Sequence, residues 1–247
     1  MKDRYDTASR VSETRVKQLN AAFDELEHNE PDTTVLEEWL RSAERTMDRF
    51  HQEMTTTDAE MLRRQVRQVK EFNEDVFGHK GDLRVINNSG EKFIRSKDAY
   101  RKELQDFRSQ IMSRQFNRTF REAPDTNQVR DKLKDMNTRY DKLQADSSGH
   151  YEMLTDLLEK LNVYNGSVDY MNDYLTDSYD TLNRLTKEPV GLEPEYVQKQ
   201  IDRLQAFNND VVVHGKDKDK VTNTGRDLCE DHRELKPEVD RTVGKSI

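Results

Sequence analysis

The stretch FNEDVFGHKGDLRVINNSG, from Phe72 to Gly90, returns as FNNDVVVHGKDKDKVTNTG from Phe207 to Gly225. Phe, Asn, Asp, Val, His, Asp, Asn and Gly keep identical places in the two copies. A repeat at this distance means one supersecondary unit built twice, and it decides the architecture before any other feature is read. The offset of 135, from Phe72 to Phe207, also carries Val66, Val69, Phe72, Val76, Ile86 and Phe93 onto Ile201, Leu204, Phe207, Val211, Val221 and Leu228. Upstream it carries EEWLRSAERTM onto NDYLTDSYDTL, so Trp39 meets Tyr174, Leu40 meets Leu175 and Met47 meets Leu182. Further upstream DRYD (3–6) matches TRYD (138–141), and Leu19, Phe23 and Leu26 match Leu154, Leu158 and Leu161.

The repeated segments have helical, coiled-coil spacing. Val129, Leu133, Met136, Tyr140, Leu143, Ser147, His150, Leu154, Leu157 and Leu161 step by four and three, which keeps one seam facing partner helices. Leu36, Trp39, Ala43, Thr46 and Phe50 step the same way, as do Val69, Phe72, Val76, His79, Leu83, Ile86, Gly90 and Phe93. Polar Ser147 and His150 fall where the other copy has Ser12 and Arg15. That interruption marks either a soft point or a register-fixing layer.

Breakers divide the pattern. EHNEPDTT (27–34) and NVYNGSVD (162–169) are expected to separate one helix from the next, with Pro31 and Asp32, or Gly166 and Ser167, as stop and start signals. TTTD (55–58) and KEPVGLEP (187–194) occupy matching places between further helices, with Asp58 as an N-cap. REAPDT (121–126) and ELKP (234–237) precede the next helix of each copy.

Charged residues make up 36% of the chain against 32% hydrophobic, which suits long thin bundles that bury one stripe per helix. Nine glycines and five prolines in 247 residues leave long unbroken stretches. The chain therefore reads as all-α. A net charge of −8 argues against a nucleic-acid or anionic-membrane surface. No apolar run approaches the ~20 residues of a membrane span, and MKDRYDTASR lacks a signal-peptide apolar core. A lone cysteine, Cys229, forms no internal disulfide, which points to a reducing, cytoplasmic compartment.

Three helices per unit, Trp39 followed by Leu40 and then AE in the first, a His and Gly seam in the second and RYDKL in the third together resemble the spectrin repeat over the whole chain. The resemblance implies tandem antiparallel three-helix bundles, with Trp39 packed near Tyr140. It divides the chain into the end of a third helix (1–26), a complete repeat (27–161) and a second repeat with an incomplete third helix (162–247). The period is longer than is usual for that family, and the surplus lies between Phe93 and Pro124. Tyr100, Leu104, Phe107 and Ile111 keep helical spacing there, so an insertion near 95–123 either lengthens the second helix or folds back as an extra one. The structural-core positions are then Trp39, Phe72, Val76, His79 and Tyr140 in one copy and Tyr174, Phe207, Val211 and His214 in the other.

Chemistry-bearing patterns are weak. His79 and His214 have no second ligand at helical spacing, and Cys229 with His232 makes half of a zinc pattern. Asp169, Asp173, Asp177 and Asp180 lack the glycine-bearing loop of a calcium site and read as a solvated acidic face. No phosphate loop, nucleophile elbow or acid–base set is present, so no enzyme activity, metal or cofactor is expected. The resemblance implies a structural, force-bearing spacer in a large cytoplasmic cytoskeletal linker of the spectraplakin, plakin, dystrophin or nesprin kind. Its expected partners are cytoskeletal or adhesion proteins and adjacent repeats of the same chain. A second reading is a docking module whose basic segment, with Arg95, Lys97, Arg101, Lys102, Arg108, Arg114, Arg118 and Arg121, meets an acidic partner. The incomplete end repeats suggest a fragment of a longer array and raise the prospect of self-association.

Overall fold

In the computed structural model the described backbone comprises residues 2–112 and 126–245, all helical apart from short connections. The helices are α1 (Lys2–Gln52), α2 (Ala59–Gly78), α3 (Lys80–Met112), α4 (Asn127–Lys187), α5 (Pro194–Asp231) and α6 (Lys236–Lys245), with a 3-10 turn at Arg233–Leu235. Among the described residues there is no strand. The contacts divide the chain into two compact units, one of Met1–Gln52 with Glu71–Gly149, the other of Glu53–Lys70 with His150–Ile247.

Local signals explain most helix ends. The Asp58 carboxylate accepts from the amides of Glu60 at 2.8 Å and Met61 at 3.1 Å, which caps α2. Pro194 opens α5, where its missing N–H costs nothing. Two expected boundaries are not boundaries: α1 runs through 27–34, including Pro31, and α4 runs through 162–169, including Gly166. In α4 the reason is visible. Ser167 turns its hydroxyl back onto the Tyr164 carbonyl at 2.7 Å and against Thr224 at 3.1 Å, so its buried polar group is satisfied within the helical conformation. Tyr164, Val168 and Met171 are buried around it, and that burial outweighs the roughly 1 kcal/mol that one glycine costs a helix.

In the first unit the buried column of α1 is Leu36, Leu40, Ala43, Met47 and Phe50. It shares Leu36, Ala43 and Phe50 with the expected seam, but Leu40 and Met47 are buried while Trp39 and Thr46 stand beside them, half-buried. A helix touching two partners buries a stripe wider than one seam. Val76 of α2, Leu83, Ile86 and Ile94 of α3, and Met136, Tyr140, Leu143 and Ser147 of α4 complete this core. Asn87 and Asn137 exchange amide hydrogen bonds of 2.8 Å in each direction, which pairs α3 with α4 in one register. Leu133 lies on Gly90 so closely that a Cβ there would stand 2.6 Å from its Cδ1. α3 continues beyond Phe93 to Met112, so residues 95–112 lengthen the helix; the remainder of the 95–123 segment lies outside the described residues.

In the second unit, Leu62 of α2 packs in a core with Leu154, Leu157, Leu161 and Tyr164 of α4, Val221 and Leu228 of α5, Leu235, and Val239 of α6. Gly225 occupies the place of Gly90. A Cβ there would meet Val239 at 3.0 Å and Tyr164 at 3.1 Å.

Candidate functional site: a duplicated aromatic, aspartate and histidine cluster

The duplicated helix stretch supplies the same local device in both units. Asp75 and His79 are one helical turn apart, as are Asp210 and His214, so each pair projects from one face. Each histidine Nδ1 lies 3.0 Å from the carbonyl of its own aspartate residue, Asp75 or Asp210, which fixes the ring against the helix. The aromatic residue of the preceding long helix then covers the ring. Trp39 stacks on His79 with centroids 3.9 Å apart and planes 13° from parallel, and Tyr174 stacks on His214 at 3.8 Å and 12°. The same aspartate takes the polar end of that aromatic. Trp39 Nε1 donates to Asp75 at 3.0 Å, and the Tyr174 hydroxyl donates to Asp210 at 3.2 Å. Partial burial and the Asp210 charge push the Tyr174 phenol upward.

The first unit has a further layer. Tyr140 of α4 is 1% exposed, lies 6.4 Å from Trp39 between centroids, and donates its hydroxyl to the Val76 carbonyl at 2.8 Å. Burial pushes its phenol up. That carbonyl sits just before the one-residue interruption at His79 that separates α2 from α3. Two helical turns further along α4, Ser147 donates to Asn73 Oδ1 at 2.7 Å, so this polar layer is hydrogen-bonded rather than a gap in the packing. Phe72 meets Phe50 edge-on at 5.5 Å. At the rim, Arg139 grips Glu44 with two bonds of 2.8 Å, which lowers the Glu44 carboxyl and raises the guanidinium.

The matched positions of the second unit are open. Val76 is 0% exposed, whereas Val211 is 42% exposed, against the expectation of a covered seam. Phe207 is half-buried. α6 packs through Val239 at the level of Gly225.

The described members of the basic segment are largely engaged within α3. Arg95 pairs with Glu91 at 2.8 Å, Lys97 lies 5.4 Å from the Phe93 ring centroid, and Arg101 is 3.9 Å from Asp98. Lys102 is exposed. The side chain of Arg108, and Arg114, Arg118 and Arg121 altogether, lie outside what is described. Asp98 instead organises the start of α4, accepting from the Thr126 hydroxyl at 3.3 Å and from Arg130. The Arg15 guanidinium covers the Tyr100 ring at 3.1 Å.

Among the described residues no group of three or more His, Cys, Asp or Glu is placed to hold a metal ion. Burial raises the Cys229 thiol, and His232 is buried with Nδ1 3.4 Å from Glu234. No described helix is long and apolar enough to cross a membrane. Asp75, Asp210 and Asp98 carry these arrangements, and none was singled out by sequence. The signal for the first two was present, since an aspartate four residues before a histidine recurs in both copies beneath a recurring aromatic.

Among the described residues the chain is all-α, and one hydrogen-bonded packing cluster occurs in it twice. It is 25% identical over 249 residues to the human protein "Microtubule-actin cross-linking factor 1, isoforms 1/2/3/4/5", covering 97% of this chain and 3% of that one. It is also 25% identical over 232 residues to the rat protein "Microtubule-actin cross-linking factor 1", covering 93% of this chain and 4% of that one. The chain thus corresponds to a small part of these relatives. No protein-family profile and no solved structure matches it.

Proposed function

We propose that this chain is a structural, force-bearing spacer and scaffold segment of a cytoplasmic cytoskeletal cross-linking protein. In this reading it is built of spectrin-like three-helix repeats, with 27–161 as one repeat, 162–247 as the next and 1–26 as the end of a preceding third helix. The observation that supports it most is the recurrence of one aromatic, aspartate and histidine cluster at matched places in two helical units. Likeness to proteins named for cross-linking microtubules and actin agrees with it. Repeated helical units spread their stability over many packing layers, and each unit lengthens the molecule under load and recovers when the load falls. Cytoskeletal polymers and adjacent repeats are the partners this role requires, and it involves no catalytic step or cofactor.

Stretching the single chain between two handles tests this. Discrete extension steps that reverse when force is relaxed are expected. Continuous extension without steps, or extension that never recovers, would overturn the spacer reading.

A further inference from the structure

Residues 53–58 join α1 to α2 and are among the few described stretches outside a helix. Hydrogen bonds fix this connection to the helix that follows. The Asp58 carboxylate accepts from the amides of Glu60 and Met61, the Thr56 hydroxyl accepts from the Asp58 amide at 3.0 Å, and Gln65 donates to the Met54 carbonyl at 3.3 Å. Leu62, one turn beyond Asp58, is 0% exposed, so the start of α2 bears directly on the core of the second unit.

Thr57 has a property that no other serine or threonine of the chain shares: an acid both one and three residues on, Asp58 and Glu60. An enzyme that phosphorylates hydroxyls draws its substrate into a cleft as an extended segment, and one that selects by charge meets acids beyond the hydroxyl with its own basic side chains. Both needs are met at Thr57. Thr34, Thr138 and Thr224 also have an acid three residues on, but they lie inside α1, α4 and α5, where an extended form would sacrifice several helical hydrogen bonds. Thr55 shares the connection and has Asp58 three residues on, yet threonines fill the two places between. Helix ends open at far lower cost than helix interiors, so Ala59 and Glu60 can extend together with the loop.

We propose that Thr57 is a phosphorylation site for an acid-directed protein kinase, and that its phosphate loosens the start of α2. In the transfer, Thr57 Oγ1 bonds to the γ-phosphorus of ATP while the bond from that phosphorus to the bridging oxygen breaks. ADP leaves with the electron pair, and the hydroxyl proton passes to a base of the kinase. The product places a charge of about −1.5 to −2 beside the Asp58 and Glu60 carboxylates. The nearby amides are already taken, since Glu60 and Met61 donate to the Asp58 side chain and Leu62 to the Asp58 carbonyl. Repulsion therefore falls on the carboxylate that caps the helix.

Incubating the whole chain with an acid-directed serine/threonine kinase and ATP, then mapping phosphate by mass spectrometry, tests the site. Thr57 should carry most of the label and the helical threonines none. Thr57→Ala should abolish the main product, and Glu60→Gln should slow labelling about tenfold, with circular dichroism establishing that both variants fold. Amide exchange reads the consequence: Met61 and Leu62 should exchange at least about threefold faster in the phosphorylated chain. A native chain left unlabelled, label found chiefly at Thr55 or within a helix, or Glu60→Gln labelled at the native rate would overturn the site. Unchanged or slower exchange would overturn the loosening.

Discussion

Trp39 and Asp75 are joined by a 3.0 Å hydrogen bond across two helices, and the same aspartate sits one turn from the histidine on which Trp39 stacks. Packing and polarity are thus settled by one side chain. Trp39→Ala should destabilise the first unit by about 2–4 kcal/mol, and Trp39→Phe, which keeps the stack but strands the exposed Asp75, by only about 1 kcal/mol. Urea unfolding followed by circular dichroism reads both. Because Trp39 is the only tryptophan, its fluorescence in the native chain reports the first unit alone.

Tyr140→Phe is a nearly isosteric change that removes one hydroxyl. It leaves the carbonyl of Val76 without its second partner in a buried setting, and the expected cost is about 1–3 kcal/mol. Equal stability of the two proteins in urea would show that the carbonyl does not depend on that hydroxyl.

Arg139 and Glu44 predict a pH dependence. The guanidinium holds the Glu44 carboxyl below 4.5, so the contribution is complete above that value and is lost as pH falls through the lowered one. Glu44 is 39% exposed, and solvent screening limits the effect to roughly 1 kcal/mol. In Glu44→Gln the part of the acid-induced loss that belongs to this pair should vanish, as read from thermal melts between neutral pH and pH 3.

Asp98→Ala should loosen the first turn of α4, since Thr126 is 3% exposed and loses its acceptor while Arg130 loses its counter-charge. Amide exchange at residues 129–132 should quicken, with global stability falling by about 1–2 kcal/mol.

Two glycines of the first unit should respond differently to alanine. At Gly149 nothing lies within 4 Å, so Gly149→Ala gains up to about 1 kcal/mol of helix propensity, whereas at Gly90 the new methyl group must push the Leu133 side chain aside, and Gly90→Ala gains less.

The all-α class, the helix starts at Ala59, Asn127 and Pro194 and most of the buried column of α4 were legible in sequence, because apolar spacing and capping chemistry are local. The continuity of α1 through Pro31 and of α4 through Gly166 was not. A glycine sets only a modest penalty, and burial of Tyr164, Val168 and Met171 overrules it in α4. Coverage was equally hidden: Val76 and Val211 read alike, yet one is sealed by Tyr140 and the other is not. Asp75 and Asp210 recur in sequence, but nothing in a single helix says that an indole or phenol from another will reach them.

The two clusters differ in one ring and agree in everything that ring must do. Trp39 and Tyr174 each lay a flat face on a histidine and offer one polar hydrogen to an aspartate. Indole and phenol are thus equivalent here in the one respect that the aspartate and histidine require. The socket of aspartate and histidine accepts either of two rings that carry a donor.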